Sequence, residues 1–303
     1  MSKLTTIEKA VSQYVQDGMS ISLSGIGGRE PMAVVYEIIR RKKRDLTLIT
    51  DSKMDSACML IGAGCLKKME TAYCWISSLG GAVNYRRAVE KGIPAPLEVE
   101  EYSNYGASLR FLAGAMDVPF LPTRSMLGSD FLQYNPRLRQ MQDPYQGEPL
   151  VLVPAACPDV AFIHVQQADR QGNCKILGAT VNDMNMARAA KKVIVTCEEL
   201  VDTVEIRKTP NMTAIPYYCV DAVVHVPYCS HPFFVAEYYW CDMPFRREFM
   251  KRNDSQEHFE EWLKEWVYDV PDFDAYLDKV GRDRLEKLAE MELDNVNMAG
   301  REC

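Results

Sequence analysis

The sequence contains no hydrophobic run long enough to cross a membrane and no excess of positive charge. Its longest apolar segment, residues 219–226, includes Asp221 and His225 and falls far short of the roughly 18 residues that span a bilayer. The 35 Lys and Arg residues are outnumbered by 42 Asp and Glu residues, so the net charge of -7 opposes broad binding to nucleic-acid phosphates. The first residues also lack the apolar core of a signal peptide. We therefore expect a cytoplasmic protein that binds neither membranes nor nucleic acids.

Sequence signals for disulfides and metal sites are missing as well, although the chain has ten cysteines. No two cysteines form a Cys-x-x-Cys pair, and most of them lie in apolar stretches, where a free thiol behaves as a small hydrophobic group. The four histidines are too scattered to indicate a metal site, and His164 and His225 lie inside apolar strands. We therefore expect reduced, mostly buried thiols, no bound metal and core positions for these two histidines.

The hydrophobic pattern predicts alternating helices and strands. A capping box at residues 5–8 predicts a first helix, and apolar residues alternate with serines over residues 19–24, as in a strand. A glycine-rich turn ends this strand, Pro31 suits the first turn of a second helix, and residues 46–49 complete a β-α-β unit. Further elements are predicted as far as residue 115: helices near 52–61, 84–91 and 103–115, and strands near 68–75 and 97–101. These patterns predict an α/β fold with an open, mostly parallel sheet flanked by helices.

The second half of the chain continues this pattern after an irregular segment. Residues 121–149 are rich in Pro, Gln and Asp and have no clear period, which predicts a long crossing segment or a flap over an active site. Residues 255–303 carry aromatic and charged residues largely at helical spacings, which predicts a helical C-terminal cover. Strands are predicted at 150–153, 160–165, 192–197 and 219–226, with a hairpin turn at 169–173. No repeat of fixed period is evident, so we expect residues 1–303 to form one domain.

The glycine loop, residues 25–31, is the strongest local signal. A strand followed by glycines and a helix start presents backbone N–H groups to which an anion or an oxyanion could bind. A dinucleotide-binding fingerprint would need glycine in place of Glu30 and an acidic residue after the second strand, whereas Asp45 precedes that strand. The loop therefore does not favour a dinucleotide cofactor, and a turn required only for packing stays an open alternative.

Other candidate groups are less specific. Acidic residues cluster at Glu98, Glu100 and Glu101 and again at Glu198 and Glu199. The first cluster lies at the end of a predicted strand, where α/β proteins tend to place active sites. Solvated acids are the more common explanation for such a cluster. The chain has no Gly-x-Ser-x-Gly nucleophile motif, and no cysteine lies in a recognisable nucleophile motif.

Eight segments of the chain occur, in the same order, in one known family: residues 24–31, 59–64, 118–122, 159–168, 195–199, 220–224, 227–232 and 264–267. They resemble the α subunits of family I coenzyme A transferases, most of all the glutaconate coenzyme A-transferase type, and the likeness runs nearly end to end. The resemblance implies that family's open α/β fold, a β-type partner subunit and a higher αβ oligomer. It also implies an acyl-coenzyme A thioester and a small carboxylic acid as substrates, with no permanently bound cofactor.

The resemblance also implies where the chemistry takes place. In that family a glutamate of the β subunit attacks the acyl-coenzyme A and becomes a glutamyl-coenzyme A thioester, so the nucleophile is expected on the partner chain. The present chain has no Ser-Glu-Asn-Gly-like segment, which agrees with the α type. The matched positions Gly25, Gly27, Gly28 and Arg29 form the substrate-binding or oxyanion loop, with Arg29 a candidate partner for a substrate carboxylate, and Ser77 aligns with a serine of the acid pocket.

The chain departs from the family around Ser77, where Trp75 and Ile76 replace smaller or more polar residues. We therefore expect a reshaped acid pocket, with a glutaconate-like dicarboxylate as one candidate acid. The chain also resembles the α chains of steroid-ring-cleaving coenzyme A hydrolases and of a glutaconyl-coenzyme A decarboxylase. In the hydrolases an acid near the position of Glu101 is catalytic, which makes Glu101 the second-choice catalytic residue. A non-catalytic ligand-binding or scaffold subunit is the alternative outside the enzymes.

Overall fold

A computed structural model of the chain describes residues 2–53, 55–76 and 79–299. Strands and helices alternate along most of this length. The strands are β1 Ser20–Leu23, β2 Leu46–Ile49, β3 Ser52–Lys53, β4 Leu66–Thr71, β5 Tyr73–Cys74, β6 Glu98–Glu101, β7 Phe120–Thr123, β8 Arg139–Gln142, β9 Pro149–Pro154, β10 Val160–Asp169, β11 Cys174–Lys175, β12 Lys192–Val201, β13 Thr213–Ile215 and β14 Ala222–His225. The helices are α1 Ile7–Tyr14, α2 Met32–Arg40, α3 Asp55–Gly62, α4 Val83–Lys91, α5 Asn104–Ala115, α6 Phe131–Tyr134, α7 Asp183–Ala189, α8 Thr203–Lys208, α9 Met243–Lys251, α10 Gln256–Leu263, α11 Phe273–Val280 and α12 Arg282–Ala299.

The main sheet confirms the predicted fold class. Seven of its strands are parallel, in the order β14-β12-β10-β1-β2-β4-β6. The short strands β11 and β13 extend it in antiparallel fashion from the far end of β10, which β11 joins through the hairpin turn predicted at residues 169–173. In chain order, β1, β2, β4 and β6 lie one after another towards one edge of the sheet. β10, β12 and β14 lie one after another towards the opposite edge. The strand order therefore reverses between β1 and β10, where open α/β sheets form a crevice at the carboxyl ends of their strands.

The central strands are buried on both faces, which explains their continuous apolar runs. In β10, nine of the ten residues are buried, and in β12 the six residues Val193–Glu198 are buried. Helices that cover both sides of a parallel sheet remove the alternation of polar and apolar residues that a half-exposed strand shows. The predicted strands at 160–165 and 192–197 are therefore confirmed, and each continues for four residues beyond its predicted end.

The elements before residue 80 differ from the predictions in detail. The first helix begins at Ile7 with Thr6 as its N-cap, so the cap lies one residue later than predicted; its hydroxyl accepts a hydrogen bond from the Lys9 amide. The second half of the predicted strand 68–75 and the start of the predicted helix 52–61 instead form the short strands β5 and β3. These two pair with each other in parallel beyond the carboxyl ends of β4 and β2.

The predicted crossing segment forms a second, smaller sheet. Strands β7, β9 and β8 pair in antiparallel fashion, in that order. The strand predicted at 150–153 belongs to this sheet and not to the main one. In β9 only Val151 and Val153 are buried, and the other four residues are intermediate or exposed. The reason is that only one face of the small sheet packs on a core, which includes Tyr102.

The predicted C-terminal helical cover is confirmed as far as Ala299. It consists of α10, a π-helical turn at Lys264–Tyr268, α11 and α12. Trp262 is buried in the hydrophobic core that also contains strand β1, and its ring centroid lies 5.0 Å from that of Phe249. The cover is therefore part of the main core.

The described cysteines are free thiols, and five of them are buried. Burial raises the pKa of Cys58 to about 12, so this thiol stays protonated. Cys157, by contrast, is exposed. Among the described helices, none combines the length and the apolar composition that crossing a bilayer requires.

Trp262→Ala should lower the free energy of unfolding by about 3–5 kcal/mol, because the loss of a large buried ring leaves a cavity. Trp262 is 2% exposed, whereas Tyr145 is 93% exposed and provides the control. Tyr145→Ala should change the free energy of unfolding by less than about 0.5 kcal/mol. Urea unfolding followed by circular dichroism measures both values. Equal losses in the two variants would contradict a C-terminal cover that belongs to the main core.

Candidate active site at the carboxyl edge of the sheet

The glycine loop lies at the reversal of strand order, between the end of β1 and the start of α2. Gly25 and Gly27 have φ angles of 76° and 70°, in the left-handed region that glycine adopts without strain. A Cβ atom on Gly25 would lie 2.2 Å from the carbonyl oxygen of Gly28, and one on Gly28 would lie 2.7 Å from the ring of Phe234. The loop therefore needs its glycines for its own shape.

The loop presents backbone donors that the described residues of this chain do not use. The amide of Gly27 is 3.4 Å from the Glu30 carboxylate, and the amide of Arg29 donates to the carbonyl of Phe234 at 3.1 Å. Within the part of the chain that the structure describes, the amides of Ile26 and Gly28 have no acceptor. Ile26 is 36% exposed, so the loop reaches the surface at this point. Unused N–H groups at the carboxyl edge can stabilise a carbonyl oxygen that gains negative charge.

The side chain of Arg29 points into the protein. It is 6% exposed, and its guanidinium donates to the carboxylate of Asp183 at 2.6 Å and to the carbonyls of Ala179 and His164 at 2.6 and 2.9 Å. Burial raises the pKa of Asp183, and the charge of Arg29 opposes this rise. Contact with a substrate carboxylate would require the Arg29 side chain to leave these three acceptors. In this structure its charge fastens the glycine loop to β10 and to the segment that includes α7.

A buried histidine and glutamate pair lies beneath the loop. His164 is fully buried on β10, as expected for a core histidine, and its Nε2 atom lies 2.8 Å from Oε1 of Glu198 on β12. The same carboxylate accepts hydrogen bonds from the Tyr239 hydroxyl and the Tyr228 amide, both at 2.6 Å. Burial disfavours a charged imidazole, but contacts with Cys229 and Glu198 outweigh it and raise the pKa of His164 to about 9. The charged form of the His164 imidazole is therefore favoured at neutral pH. The other predicted core histidine, His225, lies at the end of β14 and is exposed, because that strand ends at the surface.

The partners Asp183 and Glu198 were not predicted as site residues. A signal for Glu198 existed, because His164 and Glu198 both lie in or next to apolar runs predicted as strands. Two neighbouring parallel strands with these residues at their carboxyl ends would bring them together. Asp183 had no such signal, since it begins a helix that the sequence pattern did not predict.

Glu101 lies at the same edge of the sheet as the glycine loop but not beside it. It is the exposed last residue of β6, and its carbonyl accepts a hydrogen bond from the side chain of Asn135 at 2.8 Å. Three strand spacings separate β6 from β1, which corresponds to about 14 Å. Glu101 lines a cavity of about 280 Å³ together with Phe131 and Tyr134 of the crossing segment.

The acid pocket predicted around Ser77 is described only in part. Ser77 itself lies outside the described residues. Beside it, Trp75 is 43% exposed, whereas Ile76 is buried. Among the residues that the structure covers, no group of three His, Cys, Asp or Glu side chains could hold a metal ion.

Comparisons with known proteins point to one family. The family model described as coenzyme A transferase matches residues 4–226. The chain is 37% identical to the A-type subunit of glutaconate CoA-transferase from Acidaminococcus fermentans, over 95% of each chain. It is 36% identical to the A-type subunit of 3-oxoadipate CoA-transferase from Pseudomonas knackmussii, over 92% of this chain and 99% of that protein. It is also 41% identical to an uncharacterised protein of Archaeoglobus fulgidus, of whose length it spans 65%.

Solved structures agree with this similarity. The crystal structure of glutaconate coenzyme A-transferase from Acidaminococcus fermentans matches with a TM-score of 0.90 and 36% identity, over 95% of each chain. The decarboxylase AibA/AibB, in a C56S variant, matches with a TM-score of 0.76 and 31% identity, over 87% of this chain and all of that chain. The large parallel sheet and its glycine loop therefore lie in an architecture shared by proteins with different reactions.

Asp183→Asn should lower the free energy of unfolding by about 3–5 kcal/mol, because it leaves the buried guanidinium of Arg29 without a charged partner. The exposed pair Arg86 and Glu90, 3.1 Å apart, provides the control. Glu90→Gln should cost less than about 0.5 kcal/mol, since water solvates both groups. Urea unfolding measures both variants. If the two substitutions cost the same, the Arg29 and Asp183 pair does not fasten the loop.

The pair of His164 and Glu198 should make stability depend on pH. The pKa of His164 is about 9 in the folded chain, against an ordinary value of 6.5. A raised folded-state pKa adds stability in full below the unfolded-state pKa, and this stability is lost as the pH rises through the folded-state pKa. The melting temperature should therefore fall between about pH 6.5 and 9. His164→Gln should melt lower at pH 6.5 and show a flatter profile.

Melting curves at half-unit pH steps test this dependence. Tyr145→Ala is the control, because Tyr145 is 93% exposed, and it should keep the wild-type profile. A His164→Gln profile parallel to that of the wild type would contradict a raised pKa of His164 in the folded chain.

Proposed function

The chain belongs to the coenzyme A transferase family, and from this premise we propose that it is the α subunit of a heteromeric CoA-transferase. The reaction moves coenzyme A between an acyl-coenzyme A and a small carboxylic acid. The observation that carries this proposal is the glycine loop at the reversal of strand order, where the amides of Ile26 and Gly28 have no acceptor within the described chain. We further propose a β-type partner, a higher αβ oligomer and a cytoplasmic location.

Transfer through a carboxylate nucleophile needs such donors at every step. Attack by a glutamate forms a C–O bond to the thioester carbonyl and moves an electron pair onto its oxygen. Collapse breaks the C–S bond and leaves an acyl-glutamyl anhydride and the coenzyme A thiolate. The thiolate then attacks the glutamyl carbonyl, which forms the glutamyl thioester and releases the acid. Each step passes through an oxyanion, which the free loop amides can stabilise by hydrogen bonds. Gly25, Gly27 and Gly28 contribute by shaping the loop that presents these amides.

The nucleophile belongs to the partner subunit in this proposal. The carboxylates next to the loop, Glu30 and Asp183, are buried and already accept hydrogen bonds from Ser56 and Arg29. Burial raises the pKa of Glu30 as well, which opposes its ionised form. These carboxyl groups are therefore poor nucleophiles, and we propose that Arg29 positions the loop.

We propose a dicarboxylic acid as the second substrate. The relatives named for glutaconate and for 3-oxoadipate are similar to this chain over more than 90% of its length. Both names denote acids with two carboxylates. The exposed ring of Trp75 and buried Ile76, next to Ser77, support a pocket of different shape from that for glutaconate.

The test is co-expression with the β-type partner and incubation of the complex with acetyl-, succinyl- and glutaconyl-coenzyme A, with and without borohydride. Mass spectrometry should detect a reduced glutamate on the partner chain only after treatment with an acyl-coenzyme A. The isolated chain should transfer no coenzyme A. Rapid transfer by the isolated chain would place the nucleophile on this chain. A complex that shows no adduct, no transfer and no coenzyme A-dependent protection against heating would favour a non-catalytic scaffold subunit.

A ring-cleaving hydrolase or decarboxylase acting on coenzyme A esters is the second candidate. It is supported by exposed Glu101 beside its cavity and by the similarity to the decarboxylase AibA/AibB. Glu101→Gln should abolish turnover by a hydrolase but lower transfer by a transferase less than about tenfold, because the nucleophile is elsewhere. Glu98→Gln, on the same strand and largely exposed, is the matched control. Accumulation of free coenzyme A or a ring-opened product without an adduct would favour the hydrolase.

A further inference from the structure

Lys53 is a buried cation that is bonded to the glycine loop and not to a carboxylate. It ends strand β3, its side chain is 1% exposed, and its Nζ atom donates a hydrogen bond to the carbonyl oxygen of Gly25. The closest carboxylate oxygen among the described residues, on Asp51, is 3.9 Å away, beyond hydrogen-bond distance. Burying an ammonium group costs several kcal/mol unless its surroundings compensate. A buried ammonium group that donates to a single backbone carbonyl, that of Gly25, indicates a specific role for Lys53.

The bond to Lys53 sets the direction of the next amide. In a trans peptide the C=O and N–H bonds point in opposite directions. Because the Gly25 carbonyl points towards Lys53, the N–H of Ile26 points away from Lys53. This is one of the two loop amides without an acceptor among the described residues, and the Ile26 side chain is partly exposed. Lys53 and the candidate oxyanion donor therefore lie at opposite ends of one peptide unit.

The hydrogen bond from Lys53 is needed because glycine alone does not fix the orientation of the Gly25–Ile26 peptide. Gly25 adopts either sign of φ with little strain, so the Gly25–Ile26 peptide can rotate. If it rotated, the carbonyl oxygen would face the reacting centre and repel a developing oxyanion. The charge of Lys53 also polarises the peptide, which strengthens the N–H as a donor. Asp51, 3.9 Å from Nζ, and the more distant Glu30 and Asp183 lie within Coulomb range of Lys53 and offset part of the cost of its burial.

We infer that Lys53 is a positioning residue that orients and polarises the Ile26 N–H towards the thioester carbonyl oxygen of the acyl-coenzyme A. This inference rests on the proposed function, because it assigns the loop to an acyl thioester. Lys53 touches no substrate and acts through the peptide of Gly25 and Ile26.

The first test measures transfer by the αβ complex with glutaconyl-coenzyme A as donor and acetate as acceptor. Lys53→Met keeps the length of the side chain but removes its donor, and should lower kcat by about 100-fold or more with KM changed less than about threefold. Lys53→Gln, which keeps a neutral donor, should have a kcat between those of Lys53→Met and the wild type. Lys68→Met is the control: Lys68 pairs with Glu70, Glu98 and Glu100, away from the loop, and its loss should leave kcat within about threefold.

The second test separates orientation from a merely structural role. In a complex whose partner glutamate is replaced by alanine, glutaconyl-coenzyme A labelled with ¹³C at the thioester carbonyl should bind without reacting. Infrared difference spectra should show a lower C=O stretching frequency than in water with wild-type Lys53. With Lys53→Met the frequency should return towards that in water, while coenzyme A thioester binding persists. If the Lys53→Met chain does not assemble with its partner, the carbonyl frequency is measured in the Lys53→Gln complex instead.

An unchanged kcat and an unchanged carbonyl frequency in the Lys53 variants would overturn the inference while leaving CoA transfer intact. A carbonyl frequency that is lowered in the alanine-substituted complex and restored by Lys53→Met, with no transfer of coenzyme A by the unsubstituted complex, would refute the proposed function and still support the role of Lys53. A wild-type complex that leaves the frequency at its value in water would overturn the inference whatever the reaction.

Discussion

Just beyond the end of β1, backbone groups of β10 have no strand beside them on the β1 side, and residues around the site satisfy those groups. β1 pairs with β10 only over residues 21–23. Beyond that point the amide of His164 donates to the Ser24 hydroxyl, and its carbonyl accepts from Arg29. Side chains of the glycine loop and of Ser24 before it thus replace the hydrogen bonds that a longer β1 would make. The loop is fixed to the sheet because the sheet needs those bonds.

Buried ionisable side chains and their hydrogen bonds also fix the position of the loop. Arg29 with Asp183, Lys53 with the Gly25 carbonyl, and Glu30 with Ser56 are each nearly or fully buried and join the loop to different parts of the chain. Such groups add little net stability, because the cost of desolvation offsets most of their attraction. Their effect is to make one loop conformation far better than any other. Donors that do not reorganise during a reaction are the ones that stabilise a transition state most effectively.

Much of the fold could be predicted from local patterns, and the reason is burial. Strands β10 and β12 are apolar throughout because helices cover both faces, and a run of this kind is visible in any sequence. The glycine loop was visible for a related reason, since glycine at consecutive positions has few other uses between a strand and a helix. One strand of the small antiparallel sheet, β9, was predicted, but the sheet was missed because β8 is exposed along its whole length and shows no burial pattern.

The contacts of the site could not be predicted in the same way. Arg29 and Asp183 are 154 positions apart in the chain, and Lys53 meets Gly25 across the ends of different strands. Such contacts follow from strand order, which local periodicity does not encode. The sequence therefore identified Arg29 as a charged loop residue but gave no indication that its charge is already matched within the chain.

The reversal of strand order has a consequence for how the chain is synthesised. β1 lies inside the finished sheet, but Ser24 is made 140 residues before His164, its partner on β10. Until β10 leaves the ribosome, the first half of the chain can form a sheet of β1, β2, β4 and β6 in which β1 is an open edge. That edge has apolar residues and unpaired backbone groups, which is the surface on which nascent chains aggregate. The topology that creates the crevice thus gives the half-synthesised protein an open strand edge, which the finished sheet covers with β10.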